Sequence, residues 1–84
     1  MLSDKSRRAI CSEVAKSFHG ERIRRGLTLA AVAAKSGLSY QMIGFVEKEK
    51  RNPTLDTLLR IADALEIDLP KIIERAKNKT KKTV

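Results

Sequence analysis

Two short stretches, 29–36 and 40–49, constrain this chain more than anything else in it. Each is opened by a hydroxyl residue, and only Gly37-Leu38, in the turn Ser36-Gly37-Leu38, separates the end of one from the cap of the next. Thr28 and Ser39 are favourable N-caps, because their side-chain oxygens accept from a backbone N–H that a first helical turn leaves unpaired. Gly37 takes a left-handed conformation at low cost, so the chain turns sharply there. The spacing therefore predicts two short helices joined by a tight, glycine-containing turn.

The remaining segments read as helices as well. Cys11, Val14, Ala15, Phe18 and Arg22 recur at helical spacing, which predicts a first helix over 6–25 ended by Gly26. Cys11 is read as a small core hydrophobe and residues 1–5 as loose. Lys50-Arg51-Asn52-Pro53 is a loop, since the residue before Pro avoids helix. Thr54 caps a fourth helix over 55–65, with Leu55, Leu58, Leu59, Ala62 and Leu65 as its expected core face and Ile61 widening it. Asp68 caps a fifth, in which Pro70 sits harmlessly in the first turn and Leu69, Ile72, Ile73 and Ala76 repeat at helical spacing. No stretch alternates with period two, so no sheet is expected. The reading is an all-α, five-helix domain over 1–76, followed by a basic tail over 77–84 expected to be disordered.

Charge narrows the partner. The chain has 18 Lys and Arg against 10 Asp and Glu, a net +8 on 84 residues, and such an excess points to a polyanion. The sequence offers no Gly-rich phosphate loop, no metal-ligand spacing and no nucleophile–base set, so no enzyme activity, cofactor or metal is expected. A single cysteine excludes an internal disulfide and fits a reducing cytoplasm. No apolar run approaches the ~20 residues that span a bilayer, and the basic tail has too little apolar surface to insert, so no membrane partner is expected.

Helix 3 carries the functional signal. Ile43 and Val46 must face inward, and Glu47, four residues after Ile43, lies near that inner side. Gln41, Gly44, Phe45 and Lys48 share the opposite side. A surface that is amide-bearing, small, aromatic and cationic in turn is not an ordinary solvated helix face, and a helix presenting it fits the ~12 Å major groove.

The ordered set Glu21-Arg-Ile-Arg-Arg-Gly-Leu-Thr28, Ala33, Gly37-Leu38-Ser39, Ile43, Val46-Glu47, Lys50-Arg51-Asn52-Pro53-Thr54 and Leu55 to Leu65 resembles the phage repressor and Cro-type helix-turn-helix family, also called XRE. The resemblance covers roughly residues 14–76, with the motif itself at 29–49. It implies a repressor-like DNA-binding domain whose third helix reads the major groove of double-stranded DNA. Position by position, it makes Tyr40, Gln41 and Phe45 base readers, and Thr28, Leu29, Ser39, Lys48, Lys50, Arg51 and Asn52 phosphate contacts. It implies a structural ion pair between Arg22 and Glu47. It also implies a homodimer on a palindromic operator, with Leu69, Ile72 and Ile73 in the interface. Two departures stand out: Leu29 where many relatives have Gln, and Gly44 where a larger polar residue is common. The competing roles are an antitoxin or adaptor bound to a toxin or other protein partner, and a controller protein of a restriction-modification system.

Overall fold

The computed structural model describes residues 2–83. Its helices are α1 (Asp4–Arg24), α2 (Leu29–Ser36), α3 (Tyr40–Glu47), α4 (Leu55–Ala64) and α5 (Leu69–Thr83). Each begins at a short polar side chain. Ser3 accepts from Ser6 N at 3.0 Å, Thr28 from Ala31 N at 3.0 Å, Ser39 from Met42 N at 3.1 Å, Thr54 from Thr57 N at 3.1 Å and Asp68 from Lys71 N at 3.2 Å. Helices as short as α2 and α3, eight residues each, are unstable alone. Caps of about 1 kcal/mol each define where they start, and burial must supply the rest.

That burial centres on Phe18 of α1, which has no solvent exposure. Val32 of α2, Ile43 of α3, and Ile61 and Leu65 at the end of α4 close around it, all at 1% exposure or less. Leu69, Ile72 and Ala76 extend the core along α5. Between α2 and α3, Gly37 adopts φ +75°, and the chain is pinned from α4 by Arg60 Nη1, which donates to Ser36 O at 3.4 Å. A Cβ at Gly37 would lie 3.3 Å from that same nitrogen.

Several expectations are corrected. The first helix starts at Asp4, two residues before the expected start, because Ser3 caps it; Met1 lies outside the described residues. Residues 77–83 are helical rather than disordered, because α5 packs back along α1. Ala76 and Thr80 are buried at the four-residue spacing that continues from Ile72, and Lys79 Nζ lies 3.2 Å from Glu13 Oε2. Thr80 is polar, so a search for apolar periodicity stops at Ala76. Val84 lies outside the described residues. Cys11 is exposed, and half-buried Ile10 takes its place against the core. On α4 the inward set is Leu58, Ile61, Ala62 and Leu65, leaving Leu55 and Leu59 at the surface, 63% and 48% exposed.

Three helices end in the same way. After α1, α3 and α4 the next residue but one is left-handed, and two reversed backbone bonds close the turn. For α3 these run from Glu49 N to Val46 O at 3.1 Å and from Lys50 N to Phe45 O at 2.9 Å. Gly26 fills the left-handed position after α1, but Glu49 (φ 59°) and Glu66 (φ 57°) fill the other two. A side chain there costs ~1–2 kcal/mol. Glu66 offsets part of this by accepting from Arg25 Nη1 at 3.1 Å. Replacing Glu49→Gly is expected to stabilise the fold by about 0.5 kcal/mol, after allowing for the added freedom of the unfolded chain. Urea denaturation measures it, and a loss of stability would show that the turn after α3 is held in another way.

Candidate nucleic-acid interface

α3 is held from beneath by one carboxylate. Glu47, in the last turn of α3, receives Arg22 Nε on Oε2 at 2.7 Å and Arg22 Nη2 on Oε1 at 3.0 Å. Arg22 Nη1 also donates to the carbonyl of Leu27 at 2.9 Å, tying the α1–α2 turn to the same guanidinium. Both side chains are mostly withdrawn from solvent, at 12% and 7% exposure. His19, one turn earlier on α1, places Nδ1 2.7 Å from Glu47 Oε1. An ionised carboxylate only accepts, so Nδ1 carries the proton. Burial pushes the Glu47 carboxyl up, but the hydrogen bonds from Arg22 and His19 outweigh it and hold the group below its ordinary value. The same hydrogen bonding from Glu47 raises Arg22. At the end of α1, Arg24 and Arg25 both donate to Glu21 and draw its carboxyl down to about 2.

With its inner side anchored, α3 turns the rest outward. Ile43 and Val46 are buried, whereas Tyr40 is 57% exposed and Phe45 37%, with Gln41 exposed between them. Phe45 is not isolated: the Arg51 guanidinium sits 5.0 Å from its ring centroid, a cation–π contact that ties the loop after α3 to the helix face. Lys48, Lys50 and Asn52 are exposed around it. Met42 is half-buried against the core.

Leu29 and Gly44, the two departures noted in the sequence, meet. A Cβ at Gly44 would lie 3.8 Å from Leu29 Cδ1, ordinary van der Waals contact. Leu29 thus fills part of the space beside a residue with no side chain of its own. Thr28 and Ser39 spend a lone pair on their helix caps, which leaves each hydroxyl hydrogen free to donate outward. A notch of about 220 Å³ opens where α1, α2 and α3 meet, lined by His19, Arg22, Leu29, Gly44, Glu47 and Lys48.

This arrangement has clear relatives. The family model described as helix-turn-helix matches residues 21–72. The chain belongs to the helix-turn-helix family. It is 37% identical over 71 residues to the control protein C.SmaI of Serratia marcescens, covering 79% of this chain and 84% of that one. It is 42% identical over 52 residues to y4dJ, an HTH-type transcriptional regulator of Sinorhizobium fredii, covering 62% of this chain and 68% of the relative. A solved structure of a variant of C.Esp1396I bound to its highest-affinity operator site superimposes with a TM-score of 0.73 at 26% identity, covering 86% of this chain and 95% of that one. The chain is a DNA-binding transcriptional regulator of the XRE type.

Among the described residues no helix is long and apolar enough to cross a membrane, and no three His, Cys, Asp or Glu side chains are grouped to hold a metal. Two of the expected interface residues are elsewhere. Leu69 and Ile72 are 3% and 8% exposed because they close the core of the single chain, which leaves only Ile73, at 36%, on the surface. Sequence reasoning also missed His19, whose position three residues before Arg22 puts it on the same side of α1. The link between Arg51 and Phe45 carries no sequence signal, since it depends on the path of the loop.

The anchor predicts an acid limit. Glu47 and Glu21 have depressed carboxyls in the fold, so near pH 4 the unfolded chain binds more protons than the folded one. Their contribution is complete above the unfolded carboxylate value of ~4.3 and is lost as pH falls toward their folded values. Unfolding free energy should stay level from about pH 7 to 5 and then decline. Glu47→Gln should cost about 3 kcal/mol at neutral pH, by leaving Arg22 without its charge partner, and flatten part of the acid decline. Equal slopes in both proteins would remove Glu47 from the account.

Proposed function

We propose that this chain binds a palindromic duplex operator as a homodimer and acts as the controller of a restriction-modification gene set. The observation that carries the DNA reading is the exposed Tyr40-Gln41-Phe45 face on a helix whose opposite side is fixed to α1 through Glu47. Gln41 has the donor–acceptor pair that matches adenine N7 and N6. Tyr40 bonds a base edge or a phosphate, and Phe45 packs on a thymine methyl while Arg51 holds it in place. Thr28, Ser39, Lys48, Lys50, Arg51, Asn52 and the backbone at Leu29 contact phosphates, setting register and salt dependence. The controller role is favoured over an antitoxin or adaptor by the similarity to C.SmaI along most of both chains. The work is recognition without catalysis, and its place is the cytoplasm, with the DNA.

A dimer follows from the limited reach of one recognition helix, which discriminates few base pairs. Two-fold pairing sets two such helices one DNA turn apart, ~34–36 Å. With Leu69 and Ile72 in the monomer core, the large apolar side chains that α4 and α5 leave exposed for pairing are Leu55, Leu59 and Ile73.

Selection from a random duplex library should recover a palindromic consensus, with endonuclease and methyltransferase genes adjacent to this one. Gln41→Ala should alter the consensus at one position per half-site, a change of ~1–3 kcal/mol. Lys48→Ala or Lys50→Ala should weaken all duplexes alike and reduce the salt slope by about 1. Leu59→Glu or Ile73→Glu should shift the protein to monomer in sedimentation. Recovery of no consensus, or a Gln41 variant with an unchanged one, would remove the assignment.

A further inference from the structure

His19 has no part in the roles described so far beyond its bond to Glu47, yet its position gives it one. It is 55% exposed and lines the notch between α1, the start of α2 and α3. Its Nδ1–H is held by Glu47 Oε1 at 2.7 Å, which leaves Nε2 as the nitrogen open to a ligand. A neutral imidazole held this way presents a lone pair at Nε2; a protonated one presents an N–H. The sign of what the notch offers an anion therefore depends on one proton.

The charged groups around His19 are few. On α1, Arg22 is taken up by Glu47 and the Leu27 carbonyl, and Lys16, one turn before, lies 3.8 Å from Glu13. On α3, Glu47 accepts from both Arg22 and His19, and Lys48, which follows it, has no ion-pair partner among the described residues. α2 contributes Leu29 and no titratable side chain. The Glu47 carboxylate is thus balanced by Arg22, and Lys48 is the free cation. With His19 neutral the notch carries one net positive charge; with His19 protonated it carries two.

We infer that this notch seats a phosphodiester of the bound duplex between Lys48 and His19, with His19 donating through Nε2 only in its protonated form. The inference rests on the DNA-binding reading above and adds to it a proton taken up on binding. It places a pH-sensitive contact on α1, outside the helix-turn-helix motif. Since this is the only histidine in the chain, the effect has a single source near neutrality in the side chains that ordinarily titrate there.

The test is affinity for the duplex recovered by selection, measured by fluorescence anisotropy at about pH 6 and about pH 8 and at several salt concentrations. A one-unit rise in the imidazole's titration on binding corresponds to a tenfold change in affinity. Wild type should bind up to about tenfold more weakly per protomer at the higher pH, up to about a hundredfold for the dimer, and its salt slope should be steeper by about 0.9 per protomer at the lower. His19→Gln should show neither effect. His19→Lys, which keeps a cation at both values, should bind with little pH dependence and guards against a folding defect in the glutamine variant. In ¹⁵N spectra the His19 imidazole should titrate at higher pH when duplex is added, whereas inorganic phosphate alone should leave it unmoved. Duplex binding that is equally strong at both pH values overturns the inference and leaves the DNA-binding reading intact. A shift produced by inorganic phosphate as large as that by duplex would make the notch a small-anion site and overturn it too. Absence of any selected duplex would remove both readings together.

Discussion

The contact between Arg22 and Glu47 is the constraint on which the working surface depends. A helix of eight residues has one free variable that packing alone controls poorly, its rotation about its own axis. Ile43 and Val46 fix that rotation approximately, because apolar contact is non-directional. A two-point bond from a planar guanidinium to a carboxylate fixes it tightly, because both distance and plane must match. Arg22 then reaches the Leu27 carbonyl, so the turn into α2 is registered against the same group. Three elements that meet at the apolar core are thereby indexed to one side chain on α1. Such a pair adds little net stability compared with a well-packed apolar substitute; its value here is orientation.

α1 can serve as the reference because α5 braces it. The long pairing of α1 with α5 explains why both extend beyond the family-like region, to Asp4 at one end and Thr83 at the other. The extension adds few large apolar groups. Ala76 and Thr80 are small enough for the two helices to approach closely, and Glu13 and Lys79 pair across the edge. A domain with a core centred on one phenylalanine gains from this, since a short chain buries a modest fraction of its surface.

The fold was legible in the sequence to the degree that local chemistry decides it. Thr28, Ser39, Thr54 and Asp68 mark helix starts because a capping oxygen serves a neighbour three residues away. Gly26 and Gly37 mark ends for an equally local reason. What failed was apolar assignment on helices with more apolar residues than one face holds. α4 has Leu at 55, 58 and 59, and spacing cannot say which side the small core needs. The same ambiguity placed Leu69 and Ile72 at a subunit interface when they close the monomer. At the site, the Arg22–Glu47 contact was suggested by two charges on inward stripes. The involvement of His19 was not, because an exposed histidine on a polar helix face looks the same whether or not a carboxylate from another helix lies above it. Glu49 and Glu66 at left-handed turns were missed for a related reason: residue type argues against that conformation, and tertiary closure imposes it.

Leu29 and Gly44 bear on how this surface meets DNA. A glycine in the middle of an eight-residue helix costs ~1 kcal/mol against alanine, so its presence requires an offset. Leu29 provides part of one by packing at that position, and the Ser39 cap and the closing bonds after Glu47 secure both ends. In return the middle of α3 carries no long polar side chain of its own, only the apolar Leu29 packed beside it. On the proposed reading the contacts lie toward the ends of the helix: Tyr40 and Gln41 at its start, Phe45 with Arg51 at its finish. Base readout concentrated at two ends leaves the intervening steps to be discriminated by how readily the duplex adapts to the surface. A recognition helix built in this way gains from being rigid, because deformation energy discriminates sequences only if the protein does not yield first. The buried carboxylate beneath α3 is what makes it unyielding.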